Sequence, residues 1–303
     1  MSSPLWAPLL AAVGLFQRKS YPLLRCFLYL TWLMACESAG LIGALAIALR
    51  GRQDRETWQA RNYALQSFWV GALYSGARRL LDIRLEVQGG EALARGPVII
   101  LIRHASVVDA LLPDLVAARP YGLRLRYVLK RELRIDPCLD IVGDRLPNAF
   151  VLRGAPDGGP EIARVRALTE NLGASDGVIL FPEGTRFTDS RRDRILAGLK
   201  SRGETDRRES ALDLKKVLPL RFGGVFALMD GAPEVDVVFC AHTGTEALTR
   251  LGDLTSGAAL GVRLRVECWR VPASEIPREG EARKAWLDGE WAKVDEWVEA
   301  HCA

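Results

Sequence analysis

The stretch Pro97-Val98-Ile99-Ile100-Leu101-Ile102, followed directly by Arg103-His104-Ala105-Ser106-Val107-Val108-Asp109, decides the fold. Its first six residues are continuously apolar and rich in β-branched side chains, which is typical of a strand buried on both faces of a parallel sheet. Apolar residues then recur at helical spacing from 107 to 118. The polar residues between these two runs therefore lie at the end of a strand, where ligands bind in open α/β sheets.

His104 and Asp109 are candidates for a catalytic pair. On one continuous helix they would lie roughly 140° apart, at about 100° per residue, and could not touch. If His104 lies instead on the turn before the helix, Asp109 can orient the imidazole while the other ring nitrogen takes a proton from a substrate hydroxyl. The competing interpretation is a capping box, with Ser106 as the N-cap and Asp109 on the first turn.

The rest of the chain after residue 82 alternates between strand and helix patterns. This alternation predicts an α/β fold, with a mainly parallel sheet covered by helices. Strands are predicted at 83–88, 97–102, 125–130, 149–152, 177–181, 235–241 and 262–271, with helices near 107–118, 161–172 and 281–299.

Residues 1–81 predict a membrane-attachment region ahead of an α/β domain at 82–303. From Cys26 to Leu49 only Glu37 is charged, and a helix of this length reaches about 36 Å, enough to span a bilayer. Glu37 must then face protein or water, unless the segment bends and re-enters. The alternative is a buried core helix. A polar break from Arg50 to Arg61 precedes an amphipathic helix at about 63–81, which lies either at the interface or against the α/β domain.

Cations and turn residues follow three of the predicted strands. The strand at 177–181 ends in Pro182-Glu183-Gly184-Thr185-Arg186, Lys130 ends the strand at 125–130, and Arg153 follows the strand at 149–152. Arginine suits a phosphate, because a charge-assisted hydrogen bond contributes roughly 1.5 to 3 kcal/mol. The alternative is an ordinary turn with solvated surface charges.

Composition limits the classes of partner. A net charge of +4 and a pI of about 8.8 do not indicate nucleic-acid binding. Six Cys without C-x-x-C spacing and three His predict no metal site and favour a reducing, cytoplasmic setting. His242 and His301 are interpreted as structural or surface residues. A basic insert at about 187–216 is either a solvated helical segment or a surface that docks an acidic acyl carrier or anionic lipid.

Four blocks in order resemble those of the glycerolipid acyltransferases, which include the 1-acylglycerol-3-phosphate and lysophospholipid acyltransferases. The blocks are His104 with Asp109, Phe150-Val151-Leu152-Arg153, Phe181-Pro182-Glu183-Gly184-Thr185-Arg186 and Val217-Leu218-Pro219-Leu220. The chain looks most like the lysocardiolipin-type branch. The resemblance implies His104 as general base and Asp109 as its partner. It also implies that the acceptor is bound near its phosphate by Lys130, Arg153, Glu183, Gly184, Thr185 and Arg186.

The resemblance further implies a membrane-associated acyltransferase with its catalytic domain facing the cytoplasm. It would move an acyl group from acyl-CoA or an acyl carrier protein thioester to a lysophospholipid hydroxyl, with 1-acyl-sn-glycerol-3-phosphate as the favoured acceptor and no cofactor. Many members have Asn where Arg103 stands, which leaves the acceptor open. The alternatives are remodelling of another lysophospholipid, a non-catalytic lipid-binding membrane protein, and a phospholipid hydrolase or transacylase. The oligomeric state is not predicted.

Overall fold

The computed structural model describes residues 21–51, 54–135, 137–151, 158–249, 252–253 and 256–302. Its strands are β1 (Arg84–Gln88), β2 (Val98–Ile102), β3 (Arg124–Lys130), β4 (Ala149–Val151), β5 (Asp176–Leu180), β6 (Asp236–Thr243) and β7 (Arg263–Val271). Its helices are α1 (Pro22–Leu49), α2 (Arg55–Leu80), α3 (Pro137–Arg145), α4 (Gly158–Ala167), α5 (Asp189–Ser201), α6 (Thr205–Asp213), α7 (Phe222–Gly231) and α8 (Gly280–His301).

The strands form one sheet in the order β1-β7-β6-β2-β5-β3-β4. Neighbouring strands are parallel except β6 and β7, which pair antiparallel. The predicted α/β class with a mainly parallel, helix-covered sheet is therefore confirmed, and the strands begin and end within two residues of their predicted bounds. The carboxyl ends of β2, β3, β4, β5 and β6 meet at one edge of the sheet.

Strand β2 lies in the middle of the sheet and contributes to both of its hydrophobic layers. Ile99 and Leu101 belong to the layer that contains α7 and α8, while Ile100 and Ile102 face the opposite layer with Leu112. Each of these four β2 side chains is at most 1% exposed, and burying such a side chain contributes about 1.5 to 3 kcal/mol. The alternation explains why the sequence of β2 is apolar at every position.

Helices α1 and α2 form an antiparallel pair. The Arg25 guanidinium donates to the Leu80 carbonyl, and Trp32 Nε1 donates to the Ala72 carbonyl 2.8 Å away. Most of the polar stretch at 50–61 is helical, because Asp54 caps a helix that begins at Arg55 by accepting from the Thr57 N–H. The amphipathic helix predicted at 63–81 is the second part of α2.

Helix α1 is long and apolar enough to cross a membrane, judged by length and composition alone. Glu37 faces protein, as one of the predicted alternatives requires, because its carboxylate accepts a hydrogen bond of 3.1 Å from Trp69 Nε1. Large apolar side chains on the other side of α1 are exposed, among them Phe27, Ile42 and Leu45. A buried core helix does not expose such a face.

The helix predicted near 107–118 is irregular. Val107–Leu111 is a 3₁₀ turn and Asp114–Ala118 is a π turn. Pro113 has no N–H to donate to the Asp109 carbonyl, which accepts from Leu112 instead and tightens the first turn. The helices α3 and α7 were not predicted, and the basic insert folds as α5 and α6.

Candidate active site

His104 lies on the turn between β2 and the 3₁₀ turn, before the N-cap residue Ser106. Its Nδ1 lies 3.1 Å from Asp109 Oδ2, so the two side chains meet as the turn arrangement predicts. The His104 side chain keeps 14% of its surface accessible, whereas that of Asp109 has none. With the Nδ1 proton directed at Asp109, Nε2 is the basic nitrogen that a substrate can reach.

Asp109 also satisfies the capping-box interpretation. Its Oδ2 accepts 2.6 Å hydrogen bonds from the backbone N–H groups of both Ala105 and Ser106. Burial raises the pKa of Asp109, but its interactions with His242, with His104 and with the Ser106 N–H outweigh burial and hold that pKa below its ordinary value. Asp109 therefore remains an ionised acceptor while it fixes the turn that carries His104.

Glu183 ties three separate segments together. It is 1% exposed, and its two carboxylate oxygens accept hydrogen bonds from the His104 N–H at 2.6 Å and the Leu218 N–H at 2.8 Å. Burial raises the pKa of Glu183 to about 8, opposed by the Leu218 N–H, Arg103 and the His104 N–H. The resemblance implied contact with the acceptor. The structure instead places Glu183 behind His104, where it holds the backbone of the turn.

Arg103 and His242 complete the surroundings of Asp109. The Arg103 guanidinium is buried, donates to the His242 carbonyl at 2.7 Å and forms an ion pair with Glu246. The His242 ring is buried as well, with Nε2 2.8 Å from the Arg103 carbonyl oxygen. We refer to Arg103, Asp109, Glu183 and His242 as the buried cluster.

A cavity of about 200 Å³ opens at the carboxyl ends of β3, β4 and β5. Lys130, Phe181, Gly184 and Arg221 line it, and the Phe181 ring packs on His104 with centroids 4.6 Å apart. Gly184 has φ +69°, and a Cβ there would lie 2.6 Å from Cδ of Arg221, so only glycine allows this close approach. We refer to Lys130 and Arg221 as the cation rim.

The remaining predicted acceptor residues have different positions. Thr185 and Arg186 are half-buried on the turn after β5, and the Arg186 carbonyl accepts a hydrogen bond from Arg191. Arg153 lies outside the described residues. In the insert, Arg192 donates to the carbonyls of Leu212 and Leu214 and so fastens α5 to α6.

Sequence reasoning missed two residues of the site. His242 was grouped with His301 as structural or surface, yet its Nε2 lies 3.8 Å from Asp109 Oδ1, whereas His301 stacks on Trp297 in α8. Arg221 follows the last of the four blocks, and its N–H donates to the Pro182 carbonyl at 2.9 Å. Neither residue belongs to a motif, so only the three-dimensional pairing identifies them.

Residues 84–238 match the family model described as Acyltransferase. Over 196 residues the chain is 26% identical to the mouse protein 1-acyl-sn-glycerol-3-phosphate acyltransferase epsilon, a stretch that covers 63% of this chain and 54% of the mouse protein. The chain thus spans about half the length of this curated relative.

A solved structure has the same fold. The crystal structure of the 1-acyl-sn-glycerophosphate (LPA) acyltransferase PlsC from Thermotoga maritima matches with a TM-score of 0.58 at 18% identity, over 91% of this chain and 95% of that one. The strand order and the helix pair described above are therefore compatible with a known architecture.

Proposed function

This chain belongs to the acyltransferase family, and we propose that it transfers a fatty acyl group from an acyl thioester to the free hydroxyl of a membrane lysophospholipid. The favoured acceptor is 1-acyl-sn-glycerol-3-phosphate, which gives phosphatidic acid. The observation that carries the proposal is the 3.1 Å contact between His104 Nδ1 and Asp109 Oδ2, in a histidine whose side chain keeps 14% of its surface accessible.

The proposed reaction is a direct transfer. His104 Nε2 takes the proton of the acceptor hydroxyl as its oxygen forms a bond to the thioester carbonyl carbon, and Asp109 stabilises the imidazolium. The tetrahedral oxyanion collapses, the carbon–sulfur bond breaks, and the imidazolium returns the proton to the leaving thiolate. The products are the acylated lipid and a free thiol, and no acyl-enzyme forms.

The cation rim supports an acceptor that carries a phosphate. Lys130 pairs with Glu132, while among the described residues the Arg221 guanidinium has no carboxylate oxygen within 4.0 Å. A phosphate monoester carries up to two negative charges and suits such a cation. We propose that Lys130, Arg186 and Arg221 bind this phosphate, together with Arg153. Glu183 and Gly184 shape the site, and Thr185 lies on the turn between them and Arg186.

An apolar cavity supports a fatty acyl chain. It has a volume of about 340 Å³ and lies between the helix pair and the sheet. Leu33 and Leu73 line it from α1 and α2, and Val107 and Val108, which follow His104 closely in sequence, line it from the catalytic side. A cavity with these walls suits an acyl chain whose reactive carbonyl lies at His104.

The helix pair supports membrane attachment. The exposed apolar face of α1 would be buried in lipid, and the acceptor would enter from the same bilayer. We propose a membrane location with the catalytic domain facing the cytoplasm. In liposome flotation, a double Phe27→Ser and Leu45→Ser variant should lose binding, whereas Ile162→Ser, which alters an exposed apolar residue on α4, should retain it.

The deciding experiment is acyl transfer by detergent-purified protein. Wild type, His104→Ala and the control His301→Ala are offered acyl-CoA or acyl carrier protein thioester with a panel of lysophospholipids. We expect transfer to lysophosphatidic acid by wild type and His301→Ala, and a loss of at least 10²-fold in His104→Ala. If His104→Ala were as active as wild type, His104 would not be the general base.

The panel also separates the alternatives. A preference for another headgroup would indicate phospholipid remodelling, and product formation without a thioester would indicate a hydrolase or transacylase. Lipid binding without turnover under every condition would indicate a non-catalytic membrane protein.

A further inference from the structure

The two oxygens of the Asp109 carboxylate have unequal surroundings. Oδ2 contacts His104 Nδ1 and accepts two backbone N–H groups. Oδ1 is buried and, within the described ranges, has no hydrogen-bond partner at ordinary distance. A buried carboxylate oxygen without a donor is costly, so its surroundings require an explanation.

The group that faces Oδ1 is the imidazole of His242. Its Nε2 lies 3.8 Å from Oδ1 and donates to the Arg103 carbonyl at 2.8 Å. Its Nδ1 lies 3.3 Å from the Thr245 hydroxyl, which can donate to it. These two contacts fix a neutral tautomer with the proton on Nε2. Burial lowers the pKa of His242, against the opposite effect of Asp109, so the ring stays neutral.

We propose that His242 is a positioning residue for acyl transfer, whose Nε2–H is shared between the Arg103 carbonyl and Asp109 Oδ1. The contact stabilises the ionised carboxylate and holds the backbone just before His104. In this way His242 sets the proton affinity of the His104 and Asp109 pair without touching substrate. The inference rests on the proposed function.

The surrounding charges do not replace this contact. The other titratable or charged groups that face the pair are Arg103 and His104 after β2, Glu183 after β5 and Glu246 after β6. Arg103 donates to Glu246 and to the carbonyls of His242 and Lys216, and none of its guanidinium nitrogens lies within 4.0 Å of an Asp109 oxygen. Glu183 accepts two backbone hydrogen bonds. His242 therefore supplies the nearest N–H to Oδ1 from a side chain.

The direction of the effect follows from charge. Without the N–H dipole, the Asp109 carboxylate is less stabilised and interacts more strongly with a protonated His104. The imidazolium then persists to higher pH, and the free base needed for catalysis appears later. The acid limb of the pH–rate profile should move upward when His242 is lost.

The test compares His242→Gln, whose amide can place an N–H near the position of Nε2, with His242→Leu, which has none. Thr245→Val is the matched control, since it removes only the hydroxyl at Nδ1. The readouts are the pH dependence of kcat/KM and the NMR titration of the His104 ring in labelled, detergent-solubilised protein.

We expect the Leu variant to raise both midpoints by about 0.5 to 1 pH unit, a free-energy change typical of losing one polar contact. The Gln variant should stay close to wild type.

If the Leu variant does not fold, His242→Asn, whose amide is too short to reach Oδ1, replaces it. Unchanged titration of His104 in Leu or Asn, or an equal shift in Gln, would overturn the proposal. Because the NMR titration needs no turnover, wild-type protein without transferase activity would defeat the proposed function while leaving this test readable.

Discussion

Asp109 and Glu183, which contact His104, are at most 1% exposed and accept five hydrogen bonds between them. By contrast, Lys130 and Arg221 line an open cavity, which is also lined by Phe181, whose ring packs on His104. Three of the four carboxylate oxygens of Asp109 and Glu183 already accept hydrogen bonds from the protein. The cation rim has a guanidinium whose charge the described residues leave unpaired. Under the proposed function the two groups have different tasks: the cluster would orient a base before substrate arrives, while the rim would supply positive charge to a bound anion.

The variant with the largest expected effect is Asp109→Asn, which tests the role of the buried cluster. Either the new amide nitrogen would face the backbone N–H groups of Ala105 and Ser106, or the amide oxygen would face them. In both cases the neutral amide would no longer stabilise the imidazolium. We expect kcat to fall by about 10² to 10⁴-fold. The control is Asp193→Asn on the exposed face of α5. A turnover assay in which both variants match wild type would show that Asp109 is only a cap.

A second test is Glu183→Ala, which leaves the His104 and Leu218 N–H groups buried without acceptors. The free energy of unfolding should fall by about 1 to 3 kcal/mol, which is the cost of leaving buried polar groups without a hydrogen-bond partner. Thermal or denaturant unfolding in detergent measures it, with the exposed Glu132→Ala as control. If the variant were as stable as wild type, the hydrogen bonds of Glu183 would not stabilise the turn that carries His104.

The rim is tested by Arg221→Gln, with Arg194→Gln on the exposed face of α5 as control. We expect KM for lysophosphatidic acid to rise about tenfold, the effect of losing one charge-assisted hydrogen bond of about 1.5 kcal/mol. Unfolding should be unchanged, since among the described contacts the guanidinium has no ion pair to lose. An unchanged KM, or an equal change in both variants, would remove Arg221 from the acceptor site.

The smallest expected effect is on the pH dependence of stability, and it follows from a comparison of two buried aspartates. Asp109 has a lowered pKa. Asp114, at 2% exposure, has its pKa raised by burial to about 6, although the side chains of Ser67 and Gln66 donate hydrogen bonds to it. A raised carboxyl pKa stabilises the fold below the ordinary value of 3.8 and loses that contribution as pH rises through 6. Asp114→Asn should therefore flatten the stability curve between about pH 4 and 6. Unfolding curves that fall equally in both proteins over this range would contradict the assignment.

The sequence predicts the strands well because local pattern alone determines them. Val98–Ile102 is apolar at each position, as a central strand covered on both faces requires. Strand β7, which runs antiparallel to β6, alternates instead between charged and apolar residues from Arg263 to Val266. By contrast α7 contains three glycines and no helical pattern, so its contacts with the sheet decide its conformation.

The site was predictable where residues belong to motifs and not where they pair across long separations. His104 and Asp109 are five residues apart, and their contact follows from the geometry of one turn. His242 contacts Arg103 from 139 residues away, and no local pattern indicates this. The hydrogen bond from the Leu218 N–H to Glu183 also joins residues that are 35 positions apart, so no local pattern indicates it either.

Strand β1 follows directly after the helix pair but pairs, among the described strands, with β7, so that Arg84 lies opposite Arg263. The ribosome synthesises β1 and β7 far apart in time, because most of the chain lies between them. If the proposed membrane attachment holds, the helix pair would reach the bilayer before β1 has its partner strand, and His242 likewise reaches Asp109 late in synthesis. An incomplete nascent chain would then be attached to lipid before its catalytic site is assembled.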